Sequence, residues 1–381
     1  MIQRVTSVLE PVRQAWVRPG SEPRLLRAIS LTLLLFGLVS VFSASTVESL
    51  NMHGNAWFIF FKQFVFAVAG VVLMLVADRV PVPILRRVAR LGMLVALGLL
   101  VAVLVIGTSV NGQRAWIPLG MFSVQPSEFA KLAVIVYVAH RLAVTGQRTA
   151  DVRELLKTML FPFGMIMFLV LLERDMGNVL VIGGIMLAMM FAVGIPMRII
   201  GSLSIGGLSL FAAYLFLGPS YRRDRVLSWL NPYADPEGNG WQWIHGNYAL
   251  ALGGLFGQGP GASKEKWGAL PEAHTDFILA VIGEEYGFVG TLITLLLMFG
   301  LVSLLLRSAL RAPDTFRKLV LVGIASWMLM QLIFNVGAVA GLLPIVGVTL
   351  PLVSYGGSSL LPLLVGLGIA GQCTKRPVGT G

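Results

Sequence analysis

The chain lacks most of what soluble enzymes and disulfide-built domains rely on. It has one cysteine, Cys373, which excludes an internal disulfide framework and any cysteine-rich metal site. Its four histidines, His53, His140, His245 and His274, are too scattered for a zinc site. Charge is scarce as well: 12% of residues are charged and 56% hydrophobic, against about a quarter charged in a soluble domain. No separate soluble domain is visible. The longest polar interval, 219–275, is too rich in glycine and aromatics for an independent globule. No small-residue cleavage site follows Arg4, Arg13 and Arg18, so the first apolar run reads as a retained anchor.

What is abundant is apolar stretches of the length that crosses a hydrocarbon core. Ten windows predict helices at 26–45, 56–77, 90–107, 127–145, 158–172, 176–195, 199–217, 275–306, 316–340 and 354–372. With the amino terminus in the cytoplasm, 20 Lys and Arg fall in cytoplasmic segments and 7 in outer loops, while Lys62 and Lys131 lie inside spans. That asymmetry places both termini inside. It also absorbs the net charge of +11 as a topology signal and leaves no case for nucleic-acid binding. The expected fold is an all-α polytopic membrane protein of about ten transmembrane helices. It comprises a cytoplasmic tail at 1–25, one transmembrane domain at 26–372 with a large outer loop at 218–274 between helices 7 and 8, and a cytoplasmic tail at 373–381. Chemistry at the outer face has no ready ATP and needs a pre-activated substrate.

Four polar segments interrupt this pattern. In "QPSEFAK", Ser127 follows Pro126 as a helix start, and Glu128 and Lys131 share a helix face. Either they satisfy each other at a helix end or Lys131 lines a functional cavity, since a buried ammonium needs an anion. Arg222, Arg223 and Arg225 cluster on the side where cations are usually scarce. They are either headgroup anchors or guanidinium forks suited to phosphate oxygens. Next, 240–255 mixes Trp241, Trp243, Ile244, Tyr248 and Leu252 with Gln242, His245 and Asn247, as an interfacial helix would.

The third segment, "LPEAHTDFILAVIGEE" at 270–285, carries Glu272, His274, Asp276, Glu284 and Glu285 at the head of an apolar run. Asp276 either caps a helix or acts as a general base with a raised pKa. Glu284 and Glu285 lie deeper and need a partner, for which Lys131 and Lys62 are the intramembrane cations. The fourth segment, 335–361, has no charge, two prolines and many Gly and Ser. Irregular backbone at that depth survives only inside protein or at a wet cavity. The hydroxyls and amides of Ser354, Tyr355, Gly356, Gly357, Ser358 and Ser359 either bind a polar headgroup or pack helices.

Together these segments resemble the shape, elongation, division and sporulation (SEDS) family, the FtsW and RodA group of bacterial cell-wall polymerases. The resemblance runs from the first span to "SYGGSS" and rests on "QPSEFAK" (125–131), "NPYADP" (231–236), "LPEAHTDF" (270–277), "GEEYG" (283–287) and "LPLVSYGGSS" (350–359). "LPEAHTDFI", Trp267 and "NPYADP" look like the division branch, while "LLPIVGVTLP" at 342–351 looks more like RodA. The division branch is favoured.

The resemblance implies polymerisation of lipid II, already activated by its pyrophosphate, at the outer face of the bacterial cytoplasmic membrane. Inversion at the sugar carbon releases undecaprenyl pyrophosphate. It implies Asp276, in "HTDF", as the catalytic residue. Arg114, Lys131, Arg222, Arg225, Gln242, His274, Ser354 and Ser358 are the expected substrate ligands, and Glu128, Glu284 and Glu285 are expected in structural ion pairs. No metal-ligand spacing stands out and no cofactor is certain; a divalent cation bridging pyrophosphate and carboxylates is compatible. The expected partners are a class B penicillin-binding protein supplying transpeptidation and other divisome or elongasome membrane proteins. The partner would dock through Gly287, Gly290, Gly300, Gly323 and Ala325. A lipid II flippase and a non-enzymatic division scaffold are the competing readings.

Overall fold

The computed structural model describes residues 20–375 apart from 111, 121, 146–151, 217–225 and 239. Among the described residues, long helices fall on all ten apolar windows. They begin with α1 (Glu22–His53), α2 (Phe58–Ala77) and α3 (Val82–Ile106). Three short strands follow, β1 (Thr108–Val110), β2 (Gln113–Leu119) and β3 (Phe122–Val124). Then come α4 (Pro126–Thr145), α5 (Val152–Leu172), α6 (Met176–Val193) and α7 (Met197–Phe216). A shorter helix, α8 (Trp241–Gly253), precedes α9 (Ile278–Leu310), α10 (Thr315–Val339) and α11 (Gly357–Thr374). Eight of these helices are long and apolar enough to cross a membrane. α4 carries Glu128, Lys131 and Arg141 along its length, which membrane depth tolerates only where charges face protein or water.

Local chemistry sets the helix ends. Pro23 and Glu22 open α1, and Gly54, at φ +66°, closes it by returning its N–H to the Leu50 carbonyl. Asp175 caps α6 by accepting from the Asn178 N–H, and Asp314 caps α10 by accepting from Arg317. The small antiparallel sheet, in the order β1-β2-β3, is an addition to the expected all-helical architecture. Two of its strands have three residues, too few for alternation to register in a sequence. Its turns carry Gly112 and Gly120 at positive φ.

Among the candidate membrane spans α10 and α11 are the most buried, and α7 is the least buried, a mixture of half-buried and exposed residues. At Gly323 of α10, a Cβ would meet Ile135 of α4 at 2.5 Å. Gly287, Gly323 and Ala325 are all buried inside the bundle, which corrects their expected role in partner docking. Gly290 and Gly300 remain half-buried.

α9 breaks its helical path at Gly287, at φ +70° and ψ −169°. The freed backbone groups are taken up by the loop after α8. Gln258 and Gly259 N–H donate to the Glu284 and Glu285 carbonyls, while Phe288 and Val289 N–H donate to the Gly254 and Leu255 carbonyls. This is how a broken helix survives at membrane depth. The approach is so close that a Cβ on Gly253 would meet the Gly283 carbonyl at 1.9 Å, so glycine is required there. Between α10 and α11, residues 340–356 form no regular helix, as the uncharged Gly- and Pro-rich stretch suggested.

Candidate active site

A cavity of about 820 Å³ opens where these irregular segments converge. Its wall takes Glu48 from α1, Lys62 and Phe66 from α2, Trp116, Phe122 and Ser123 from the sheet, and Gln125 and Glu128 at the start of α4. α6 contributes Asn178, α8 contributes Trp241, Gln242 and Trp243, and α10 contributes Gln331. The segments 271–276 and 345–359 close it with Glu272, His274, Thr275, Asp276, Gly347, Tyr355 and Ser358 among others. Among the described residues wall chemistry is therefore mixed: carboxylates, amides, hydroxyls and indoles together with Lys62, whose Nζ lies 4.5 Å from the Phe58 ring centroid.

Asp276 stands half-buried on this wall, two residues before α9 begins. The helix N-cap position falls to Phe277. Three consecutive carbonyls of the Asp276 loop are each held by a different donor. Tyr355 N–H donates to His274 O at 2.9 Å. Ser354 Oγ donates to Thr275 O at 2.6 Å, and Asn335 Nδ2 to Asp276 O at 2.8 Å. The second Asn335 Nδ2 bond, to Val348 O at 2.9 Å, ties the same clip to the irregular segment. Gly347, at φ +72°, lies alongside, where a Cβ would come 3.6 Å from Asp276 Oδ2. His274 is buried, with Nδ1 3.1 Å from Glu48 Oε2, and its ring stacks obliquely on Tyr355.

Behind the wall runs a buried polar chain. Lys131, with no exposed surface, pairs with Glu128 Oε1 at 2.7 Å, donates to Asn178 Oδ1 at 2.8 Å and sits 5.0 Å from the Trp327 ring centroid. Asn178 continues the chain to Asp175, which also accepts from Gln125. Glu173, in the turn before α6, is fully buried and both its carboxyl oxygens have no partner among the described residues. Burial first, and the Asp175 charge second, push its carboxyl up to about 9.

The structure sorts the expected site residues. Asp276, His274, Gln242, Ser358 and Glu128 share the cavity wall. Three expected ligands are corrected. Lys131 is wholly buried behind Glu128 and Asn178, because its charge is neutralised inside the bundle. Arg114 turns away and donates to the Gly107 and Val105 carbonyls, serving the open end of α3. Ser354 is buried and its hydroxyl is committed to Thr275. Ser358 keeps its place on the wall while bonding Ser123 O and Gln125 N. Arg222, Arg223 and Arg225 lie outside the described residues.

Glu285 forms the expected buried ion pair, but its partner is neither Lys131 nor Lys62. Lys266, from the loop before the Asp276 segment, reaches it at 2.9 Å, and Ser43 Oγ adds a bond at 2.5 Å. Glu284 is held by neutral donors instead, Ser263 Oγ at 2.6 Å and Lys264 N–H at 2.7 Å. Sequence reasoning missed the wall positions of Glu48 and Gln331 and the clip made by Asn335. Amides inside otherwise apolar spans were the available signal.

A family model described as cell cycle protein, the FtsW/RodA/SpoVE group, matches residues 23–376. The chain is 40% identical over 365 residues to a probable peptidoglycan glycosyltransferase FtsW of Mycobacterium tuberculosis, covering 95% of this chain and 70% of that protein. It is 39% identical over 347 residues to stage V sporulation protein E of Bacillus subtilis, covering 91% and 94%. Among solved structures, a chain from work on structural coordination of polymerization and crosslinking by a peptidoglycan synthase complex superposes with TM-score 0.76 and 31% identity, covering 92% and 96%. Thermus thermophilus rod shape determining protein RodA superposes with TM-score 0.68 and 29% identity, covering 91% and 94%. A match that spans α1 to α11 and the clipped Asp276 loop makes this chain a member of the FtsW/RodA/SpoVE family.

Proposed function

We propose that this multi-pass membrane protein is a peptidoglycan glycosyltransferase that polymerises lipid II into glycan strands at the outer face of the cytoplasmic membrane. The observation that carries the reading is the placement of Asp276: a carboxylate on the wall of an 820 Å³ cavity, with the carbonyls on its loop held by Tyr355, Ser354 and Asn335. Relatives named peptidoglycan glycosyltransferases support it. A base must be fixed before it is useful, because proton transfer demands hydrogen-bond reach to the acceptor hydroxyl.

In the proposed reaction Asp276 takes the proton of the acceptor sugar hydroxyl. The resulting oxygen attacks the donor's anomeric carbon in line, the bond to the pyrophosphate oxygen breaks, and undecaprenyl pyrophosphate leaves with the bonding electrons. One displacement converts the α linkage to a β-1,4 bond. Lys62 offers positive charge on the described part of the wall; Arg222 and Arg225 are proposed to meet the pyrophosphate from the outer loop. The aromatic face of Trp116, Trp241 and Trp243 suits sugar rings. A class B penicillin-binding protein is the proposed partner for crosslinking the product, and divisome proteins are proposed neighbours.

The test is incubation of the purified protein, with its partner, with lipid II in detergent. Glycan strands on a gel are the expected result. Lipid II translocated across vesicles with no polymer formed would replace the enzyme by the flippase.

A further inference from the structure

Three residues at one-turn intervals on α10, Trp327, Gln331 and Asn335, run from the buried ion pair to the catalytic loop. Trp327 meets the Lys131 ammonium, and Asn335 clips Asp276 O and Val348 O. Gln331, between them, is 2% exposed and lines the cavity. Among the described residues its carboxamide has no hydrogen-bond partner. Its polar end is therefore free to pair with a group that enters the cavity. Its neighbour on the wall is also incompletely paired. Glu128 gives Oε1 to Lys131, while its Oε2 is buried without a partner among the described residues.

Helix geometry sets the two side by side. Lys131 and Trp327 touch, and the two helices run in opposite directions. One turn toward the outer end therefore leads from Lys131 back to Glu128 and from Trp327 on to Gln331. Both residues reach the cavity. The pair offers an ordered set of groups: a carboxylate oxygen that accepts, an amide N–H₂ that donates and an amide carbonyl that accepts. A second anion beside Glu128 is disfavoured by like-charge repulsion, so this corner of the wall suits a neutral group better than a pyrophosphate.

We propose that Gln331 is a substrate-binding residue whose carboxamide reads a neutral sugar substituent carrying both a donor and an acceptor, a hydroxyl or an acetamido group. The assignment rests on the lipid II reading above. It explains why an amide is kept unpaired at the cavity floor: the bound sugar completes its hydrogen bonds, and a sugar lacking that substituent leaves them unmade.

The experiment compares wild type with Gln331→Met, which keeps the side-chain length and removes the hydrogen bonds. Melting temperature, kcat and KM for lipid II, and inhibition by undecaprenyl pyrophosphate are measured on each. The expected result is a melting temperature at or above wild type, kcat/KM for lipid II reduced about tenfold, and unchanged inhibition by undecaprenyl pyrophosphate. A folded variant with unaltered kcat/KM overturns the proposal. So does a fall in melting temperature, which would give the amide a structural partner. Equal weakening of undecaprenyl pyrophosphate inhibition would assign Gln331 to the pyrophosphate instead of the sugar. A wild-type protein that neither polymerises nor binds lipid II defeats the functional reading itself, whereas normal wild-type turnover with an indifferent Gln331→Met defeats the Gln331 assignment alone.

Discussion

Ser354 donates its hydroxyl proton to the carbonyl of Thr275 at 2.6 Å and accepts the Leu350 N–H at 2.8 Å. One small side chain thus joins the irregular segment before α11 to the loop that presents Asp276. The polar "SYGGSS" stretch looked like a ligand for a headgroup; at Ser354 it is a fastener.

Removing that fastener strands the Thr275 carbonyl and the Leu350 N–H in a buried site. Ser354→Ala should lower stability by about 1–3 kcal/mol and reduce polymerisation further than the loss of folded protein accounts for, because Asp276 loses its alignment. Thermal melting alongside turnover per folded molecule checks this. Wild-type values for both would show that Tyr355 and Asn335 suffice to hold the loop.

Gly347 makes the same point from the other side of Asp276. Its φ of +72° is unfavourable for any residue with a Cβ. Gly347→Ala should cost about 1–3 kcal/mol in backbone strain and disturb the carboxylate that lies 3.6 Å from the added carbon. Reduced melting temperature with reduced turnover is expected; normal melting and turnover would mean the segment adjusts freely.

The Lys266–Glu285 pair is buried on both sides and joins the outer loop to α9 at its break. Lys266→Met alone leaves Glu285 uncompensated and should destabilise by about 3–5 kcal/mol. Combining it with Glu285→Leu should recover much of that loss. A double-mutant cycle on melting temperature measures the coupling, and simple additivity of the two changes would dissolve the pair as a structural unit.

Folding raises the Glu173 carboxyl from 4.5 to about 9. The folded chain therefore holds a proton that the unfolded chain releases, and wild-type stability declines as pH climbs from about 4.5 to about 9. Glu173→Gln carries no such proton. Its melting temperature should vary less across that window and gain most on wild type near the upper end. Melting curves at stepped pH test this, and identical pH slopes for the two proteins would place an ionised carboxylate at Glu173.

Apolar windows located the ten long helices among the described residues, eight of them long and apolar enough to cross a membrane, because crossing requires uninterrupted hydrophobic length, which sequence records directly. The Glu128–Lys131 pair was equally legible, since residues three apart on a helix lie on one face whatever the tertiary fold. Contacts across the bundle were not. Nothing in the spacing of Glu285 pointed to Lys266 from an outer loop rather than to the two lysines within spans. Arg114 looked like an anion ligand by its side of the membrane alone, yet the end of a neighbouring helix claims its guanidinium. Polar residues announced that a cavity exists, but which of them face it depends on where a broken helix turns.

Asp276→Asn is the most direct test, because it keeps the side chain's shape and removes its basicity. With lipid II and the partner present, the account predicts a folded, normally melting protein whose rate of glycan-strand formation drops by about 10²-fold or more, the usual contribution of positioned proton transfer. Near-normal polymerisation by that variant would contradict Asp276 as the base and, with it, the reading of the cavity as an active site built around it.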